Sequence, residues 1–339
     1  MLKNVIKILV ILTTTGITAG LVSQRPKFSD NMALAQSKPK VVGSHSVICD
    51  LVETIAEDTV DLTCLIDGDQ DPHTYSPTPS DRKAIEEARL ILYGGYQLEP
   101  GLIKLIGARD PEAEAEETPQ VAKIALYEQV VAEPVMAEHH EHHEHHEESK
   151  AENSQPKLEP DPHVWHNIEH TVAMVEYLES IFLQANPTAS EQYLLNSNAL
   201  TERLWQLDAW IKEQIATIPE GQRILVTTHN SLNYYVQAYY FDGYKTLQGL
   251  NADSPTASQV RELAAEIEQT EVPTIFAEST KSDRVINNVA RAADVELSTT
   301  KLYVDGLGEA NNYIEMMSHN TCAIVNGLGG KCQPFELNI

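Results

Sequence analysis

The sequence has little that would keep a chain in a membrane. Its mainly apolar run near the start, Ile8 to about Val22, is broken by Thr13-Thr14-Thr15 and Gly16. It falls short of the ~20 residues that a membrane-spanning helix needs. Lys3 and Lys7 precede this run, and the small-residue pattern Ala33-Leu34-Ala35 stands just before Gln36. Together these read as a secretory signal peptide over residues 1–35, cleaved near Ala35. No cysteine lies between the apolar run and Cys49, so nothing suggests a lipid-modified amino terminus. The mature protein is expected to be free in the periplasm, with no direct membrane insertion after signal cleavage.

Basic residues are scarce: 24 Lys and Arg stand against 50 Asp and Glu, a formal net charge of −26. That balance excludes nucleic acid and an anionic membrane face as partners and is compatible with a cationic ligand. Cysteine is scarce too, with four residues and no C-x-x-C pair, which argues against a thiolate zinc site. In an exported chain four thiols read as disulfides, with three complete pairings possible. Cys322 and Cys332 flank the Gly-rich turn Asn326-Gly327-Leu328-Gly329-Gly330, and Cys49 and Cys64 fall on a helix and the next strand. The expected pairs are Cys49–Cys64 and Cys322–Cys332, although sequence does not fix connectivity. The metallopeptidase signature H-E-x-x-H is also missing.

The 339 residues suffice for two domains. Strands are expected at 40–43, 60–66 and 90–93, with a helix after the first and another opened by Ser80-Asp81. Alternation of strand and helix implies parallel sheet with right-handed crossovers. From about Glu133 to Pro160 the chain turns to Glu, His, Ser, Lys and Pro. So polar a segment buries too little apolar surface to offset its ordering entropy, and it reads as a mobile surface loop. Over 188–218, Tyr193, Leu200, Leu204, Leu207, Ile211 and Ile215 share one helical stripe. Some thirty helical residues would reach ~45 Å, enough to tie two lobes together. The expected order is a signal peptide (1–35), an amino-terminal α/β lobe (36–187), a linking helix (188–218) and a carboxy-terminal α/β lobe (219–339). In the last lobe, strands are expected at 223–227, 272–276 and 301–304, and helices at 258–270, 282–293 and 311–319.

Thirteen histidines carry the chemistry. His73 follows the second strand in Asp71-Pro72-His73, and His163 sits in a second Asp-Pro-His, Asp161-Pro162-His163. His229 follows the strand ending at Thr227-Thr228, and Asp305 directly follows Val304. Ligands of open α/β sheets bind beyond the carboxyl ends of the strands, where His73, His229 and Asp305 are expected. A single loop histidine is more often solvated than ligating, but this joint placement favours one cleft gathering all four. Three neutral imidazoles and a carboxylate suit tetrahedral Zn2+. The tract of His139, His140, His142, His143, His145 and His146, interleaved with glutamates, would bind metal weakly and with low selectivity. His45, His166, His170 and His319 read as structural or as supports to a ligand, although His166 could reach the same ion if it shares a helical turn with His163. Glu278, ending the strand Ile275-Phe276-Ala277, is expected to accept a hydrogen bond from a ligating imidazole or to be an alternative acceptor.

These motifs resemble the metal-binding subunits of zinc and manganese ABC importers, solute-binding proteins whose two lobes are joined by a long rigid helix. The resemblance covers nearly the whole mature chain. It rests on Asp71-Pro72-His73 with Pro77 and Pro79-Ser80-Asp81, on Asp161-Pro162-His163-Val164-Trp165, and on His229-Asn230-Ser231-Leu232-Asn233-Tyr234-Tyr235. Phe276-Ala277-Glu278-Ser279 and Asp305-Gly306-Leu307-Gly308, with Tyr313-Ile314-Glu315-Met316-Met317 downstream, complete it. The resemblance implies an α/β protein of two lobes, each a mainly parallel sheet flanked by helices, with the metal site in the cleft. It implies His73, His163, His229 and Asp305 as ligands, Zn2+ as the transported ligand, an ABC importer membrane permease as partner, and no enzymatic activity. Manganese members typically carry Glu where this chain has His229, and a histidine-rich loop is a habit of zinc members. Asn230, Leu232 and Tyr96-Gln97-Leu98-Glu99 depart from the family pattern and leave details of the cleft lining open. The protein is expected to act as a monomer. The rival readings are a manganese-binding protein of the same class, a zinc hydrolase and a periplasmic zinc buffer.

Overall fold

The computed structural model describes residues 38–108, 121–139, 157–250 and 255–337. The first lobe is built on a four-stranded sheet in the order β2-β1-β3-β4, formed by β1 (Lys40–His45), β2 (Asp61–Ile66), β3 (Leu90–Tyr93) and β4 (Ala122–Ala125). All three pairings are parallel. The central strand β1 is buried from Val41 onward, so it reads as an apolar run rather than an alternation. Helices α1 (Ser46–Ala56), α2 (Pro79–Glu87), α3 (Pro100–Gly107) and α4 (Leu126–Val130) make the connections, and α5 (Ile168–Ala185) follows. The true cap of α2 is Thr78, two residues before the Ser80 expected from sequence. Its hydroxyl accepts the Asp81 N–H while the Asp81 carboxylate accepts the Thr78 N–H, a reciprocal capping box.

The second lobe pairs β7 (Ile224–His229) with β8 (Gly243–Gln248), and β9 (Thr274–Ile275) with β10 (Glu296–Leu297), all parallel. Phe276 N–H donates to the Val226 carbonyl at 2.9 Å and brings β9 alongside β7. Helices α7 (Asn233–Ala238), α8 (Ala257–Ile267), α9 (Asp283–Ala292) and α10 (Tyr313–Gly327) cover this sheet. The strand expected at 301–304 is not a ladder. Leu302 makes one bridge to Glu278, and the next residue is taken up by a side chain: Asn320 of α10 accepts from Tyr303 N–H at 2.8 Å and donates to its carbonyl at 2.7 Å. α10 also runs past the expected end at His319, because Asn320, Thr321, Ile324 and Val325 continue its buried face.

The lobes are joined by α6 (Ser190–Ile215), 26 residues and so ~39 Å long. The stripe read from sequence is its buried face: Tyr193, Leu200, Leu204, Leu207, Ile211 and Ile215 are each no more than 4% exposed. Its first half packs on α1 and α5, where Tyr193 Oη donates to Thr59 and Asn196 Nδ2 to the Ile55 carbonyl. Its second half packs on α10, and Gln214 and Trp210 bind the Gln333 backbone. The helix is thus fastened to both lobes along its length. Among the described residues no helix is long and apolar enough to cross a membrane.

The segment expected to be loop throughout 133–160 is paired at both ends. β5 (Met136–His139) and β6 (Lys157–Pro160) form an antiparallel ladder from Met136↔Pro160 to His139↔Lys157. Composition alone missed it because so short an antiparallel pairing needs little buried surface; among its described side chains Ala137 is buried while Met136 and Leu158 stay exposed. His140, His142, His143, His145 and His146 lie outside the described residues, as does the side chain of His139.

Both disulfides pair as expected, Cys49–Cys64 tying α1 to β2 and Cys322–Cys332 tying α10 to the chain beyond it. Gly43 of β1 makes room for the first, since a Cβ there would stand 2.7 Å from the Cys49 sulfur. Closing a loop of this size restricts the unfolded chain and contributes about 2–4 kcal/mol. The double substitution Cys49→Ala, Cys64→Ala is therefore expected to lower unfolding free energy by about that amount in urea titration. An unchanged midpoint and slope would show that the cross-link constrains nothing.

Candidate metal centre

The four residues singled out from sequence arrive from four places. His73 lies in the loop after β2, His163 follows β6, His229 ends β7, and Asp305 follows the Leu302 bridge. The two Asp-Pro-His motifs do the same local work. In each, the aspartate Oδ1 accepts the backbone N–H of the histidine two residues on, at 3.0 Å for Asp71 and 2.9 Å for Asp161. That local turn fixes the histidine backbone within its own motif. The proline between them has no N–H of its own to compete.

One donor atom from each of the four residues falls within 4.8 Å of all the others. His73 Nε2 is 3.1 Å from His163 Nε2, and Asp305 Oδ1 is 3.6 Å from both of these and 3.2 Å from His229 Nε2. A tetrahedral ion bound at ~2.0–2.1 Å spaces its donors by about 3.3 Å, the middle of this range. His163, His229 and Asp305 are buried outright, and the side chain of His73 is almost so. Among the described residues neither Asp305 Oδ1 nor His229 Nε2 makes a well-directed hydrogen bond, although the two face each other at 3.2 Å. Burying two such polar atoms unpaired is costly, and a cation between them would satisfy both.

The outer nitrogens are held from behind. Asp161 Oδ1 lies 2.8 Å from His163 Nδ1, and Glu278 Oε2 lies 2.5 Å from His229 Nδ1 while its Oε1 accepts the His229 backbone N–H. Each carboxylate selects the tautomer that carries its proton on Nδ1, which leaves Nε2 as a lone pair aimed at the centre. Glu278 therefore pairs with the His229 imidazole. Asp161 is held in turn by Asn233 and by Tyr234, which donates to the Asp161 carbonyl. The Asp305 carboxylate is gripped on its far side: Thr280 donates to Oδ2, and Lys281 Nζ is 3.1 Å from the same oxygen.

His45, His166, His170 and His319 stay out of the centre. His45 meets the Tyr127 hydroxyl, and the other three bind the carbonyls of Val304, Val164 and Lys301. The sequence reading missed Asp161, Thr280 and Lys281. The repeated Asp-Pro-His was a usable signal for the first. Nothing local marks Lys281, whose partners Asp71 and Asp305 lie 210 and 24 residues away.

The electrostatics are those of a cation site. Burial opposes protonation of His229, but the carboxylates of Glu278 and Asp305 outweigh it and lift the imidazole to about 9. His163 is raised despite burial by its bonds to Asp161 and Asp305, whereas burial leaves His73 lowered. Burial would raise Asp305, yet the neighbouring His229 and Lys281 charges hold its carboxyl well below the usual range. The carboxylates of Glu278 and Asp305 therefore favour positive charge at this point, carried by a proton on His229 or by a bound cation.

A family model described as zinc-uptake complex component A, periplasmic (ZnuA), matches residues 41–327. The manganese-binding lipoprotein MntA of Halalkalibacterium halodurans is 27% identical over 293 residues, 85% of this chain and 88% of the relative. The manganese ABC transporter substrate-binding lipoprotein PsaA of Streptococcus anginosus is 28% identical over 304 residues, 87% and 91% of the two chains. Among solved structures, the periplasmic zinc-binding protein TroA of Treponema pallidum superposes with a TM-score of 0.73 at 28% identity, covering 86% of this chain and 99% of that one. The metals these relatives are named for divide between zinc and manganese. Since the family match runs from β1 to the end of α10, the chain belongs to the ZnuA family and is a metal-binding, substrate-binding component of an ABC importer, with a transport rather than a catalytic role.

Proposed function

We propose that this protein captures Zn2+ in the periplasm after cleavage of its signal peptide and delivers the ion to the membrane permease of an ABC importer. The ion is bound by His73, His163, His229 and Asp305. The observation that carries this reading is the convergence of three Nε2 atoms and the unpartnered Asp305 Oδ1 on one buried point. Three imidazoles and one carboxylate oxygen make a nitrogen-rich, four-coordinate set, which suits zinc; manganese favours oxygen ligands and more of them. Glu278, the base that the hydrolase reading names, has both oxygens turned to His229. The tract from His139 to His146 binds metal weakly and either gathers the ion or senses its supply. The second reading, manganese as cargo, is favoured by the names of the MntA and PsaA relatives.

Competitive titration of the metal-free mature protein decides between the two ions. Zn2+ is expected to fill one tight site that Mn2+ does not contest, and deletion of residues 138–148 is expected to leave that site intact. His229→Ala should weaken it by more than ~100-fold, and Glu278→Gln by ~10–100-fold, since a lost support to a ligand typically costs that much. Equal binding of manganese would reverse the choice of metal, and an undiminished His229→Ala variant would remove the site.

Binding should also expel a proton from His229. His229 is protonated below about 9 in the metal-free state, so each ion is expected to release about one proton or more at pH 7, and affinity should fall as pH drops further. Calorimetry in buffers of different ionisation enthalpy reads the number directly. Binding with no proton release at pH 7 would show His229 to be neutral before the ion arrives, and an affinity flat from neutral to mildly acidic pH would contradict a histidine-dominated site.

A further inference from the structure

Lys281 is a lysine the metal-binding reading leaves unused, although its ammonium touches one of the four converging residues. It follows the β9 region by six residues and precedes α9, and its side chain is only 9% exposed. Its ammonium lies 2.5 Å from Asp71 Oδ2 and 3.1 Å from Asp305 Oδ2. Asp71 belongs to the first lobe and by its other oxygen fixes the backbone of His73. Asp305 belongs to the second lobe and faces the imidazoles with Oδ1. One ammonium therefore joins the support of one proposed ligand to the back of another across the cleft.

The two oxygens of Asp305 are in opposite circumstances. Oδ1 is buried without a hydrogen-bond partner, whereas Oδ2 accepts from Thr280 and faces the Lys281 ammonium. A carboxylate can bind an ion through one oxygen or both. Turning Oδ2 toward the ion would break the Thr280 hydrogen bond and pull the oxygen away from a buried ammonium, whose charge-assisted contact is among the stronger ones available. Burial of the lysine is itself tolerable only while both carboxylates stay beside it.

We propose that Lys281, with Thr280, is a positioning residue for metal selectivity: it restrains Asp305 to a single ligating oxygen and so holds the site to the four-coordinate geometry that disfavours manganese. This rests on the four-residue site of the preceding section and adds to it the reason for the selectivity. A carboxylate freed to bind through both oxygens would supply a fifth ligand and a harder donor set, the direction in which manganese gains.

The test compares wild type with Lys281→Met, which keeps the side-chain length and removes the charge, with Lys281→Arg, which keeps the charge, and with Thr280→Val. X-ray absorption at the zinc edge reads coordination number, and competitive titration with Zn2+ and Mn2+ alone reads the ratio of dissociation constants. Wild type and Lys281→Arg are expected to be four-coordinate. In Lys281→Met the zinc should gain an oxygen neighbour, and manganese should gain about tenfold or more relative to zinc, with Thr280→Val shifted the same way by less. A packing defect alone would weaken both metals together and leave the ratio unmoved. An unchanged coordination number and ratio in Lys281→Met, with wild-type zinc still bound by imidazoles, would overturn the proposal for Lys281 alone. Zinc without imidazole neighbours in wild type would instead overturn the site on which it rests.

Discussion

The structure depends on holding lone pairs of like character against one another in a buried place. Three imidazole nitrogens and a carboxylate oxygen face a common point, and two of those atoms have no partner there. Such an arrangement opposes folding unless something positive occupies the centre or the surroundings hold the groups in place. This chain does both. Carboxylates behind His163 and His229 fix the rings, and Lys281 balances Asp305 and Asp71 from the side. The donors thus converge before an ion arrives, the arrangement that lowers the cost of binding through preorganisation.

That economy requires the two lobes to keep their separation. His73 and His163 come from the first, His229 and Asp305 from the second, and a shift of a fraction of an ångström between them would spoil the donor spacing. The long helix α6 supplies the constraint, because it is packed and hydrogen-bonded to both lobes rather than to one. The Lys281 bridge between Asp71 and Asp305 adds a second tie between the lobes beside the converging donors.

Much of this was legible in the amino-acid order. The apolar stripe from Tyr193 to Ile215 identified α6, and the paired Asp-Pro-His motifs with His229 and Asp305 at strand ends identified the residues that converge. The misses share a physical cause. Residues 301–304 have the composition of a strand, but Asn320, a residue of a later helix, satisfies the Tyr303 backbone in place of a ladder. The β5–β6 pairing was hidden because its arms bury little. Lys281 was invisible because its meaning depends on two carboxylates brought to it only by the complete fold. Local pattern reports what a residue does to its neighbours in sequence, and these three are contacts at a distance.

The central claim concerns one ion at one point, and crystallography of the zinc-loaded protein with data collected on either side of the zinc absorption edge tests it most directly. The account predicts a single strong anomalous peak within the cleft, ~2.0–2.2 Å from Nε2 of His73, His163 and His229 and from Oδ1 of Asp305. A peak that lies elsewhere, or a cleft without one in zinc-saturated crystals, would contradict it.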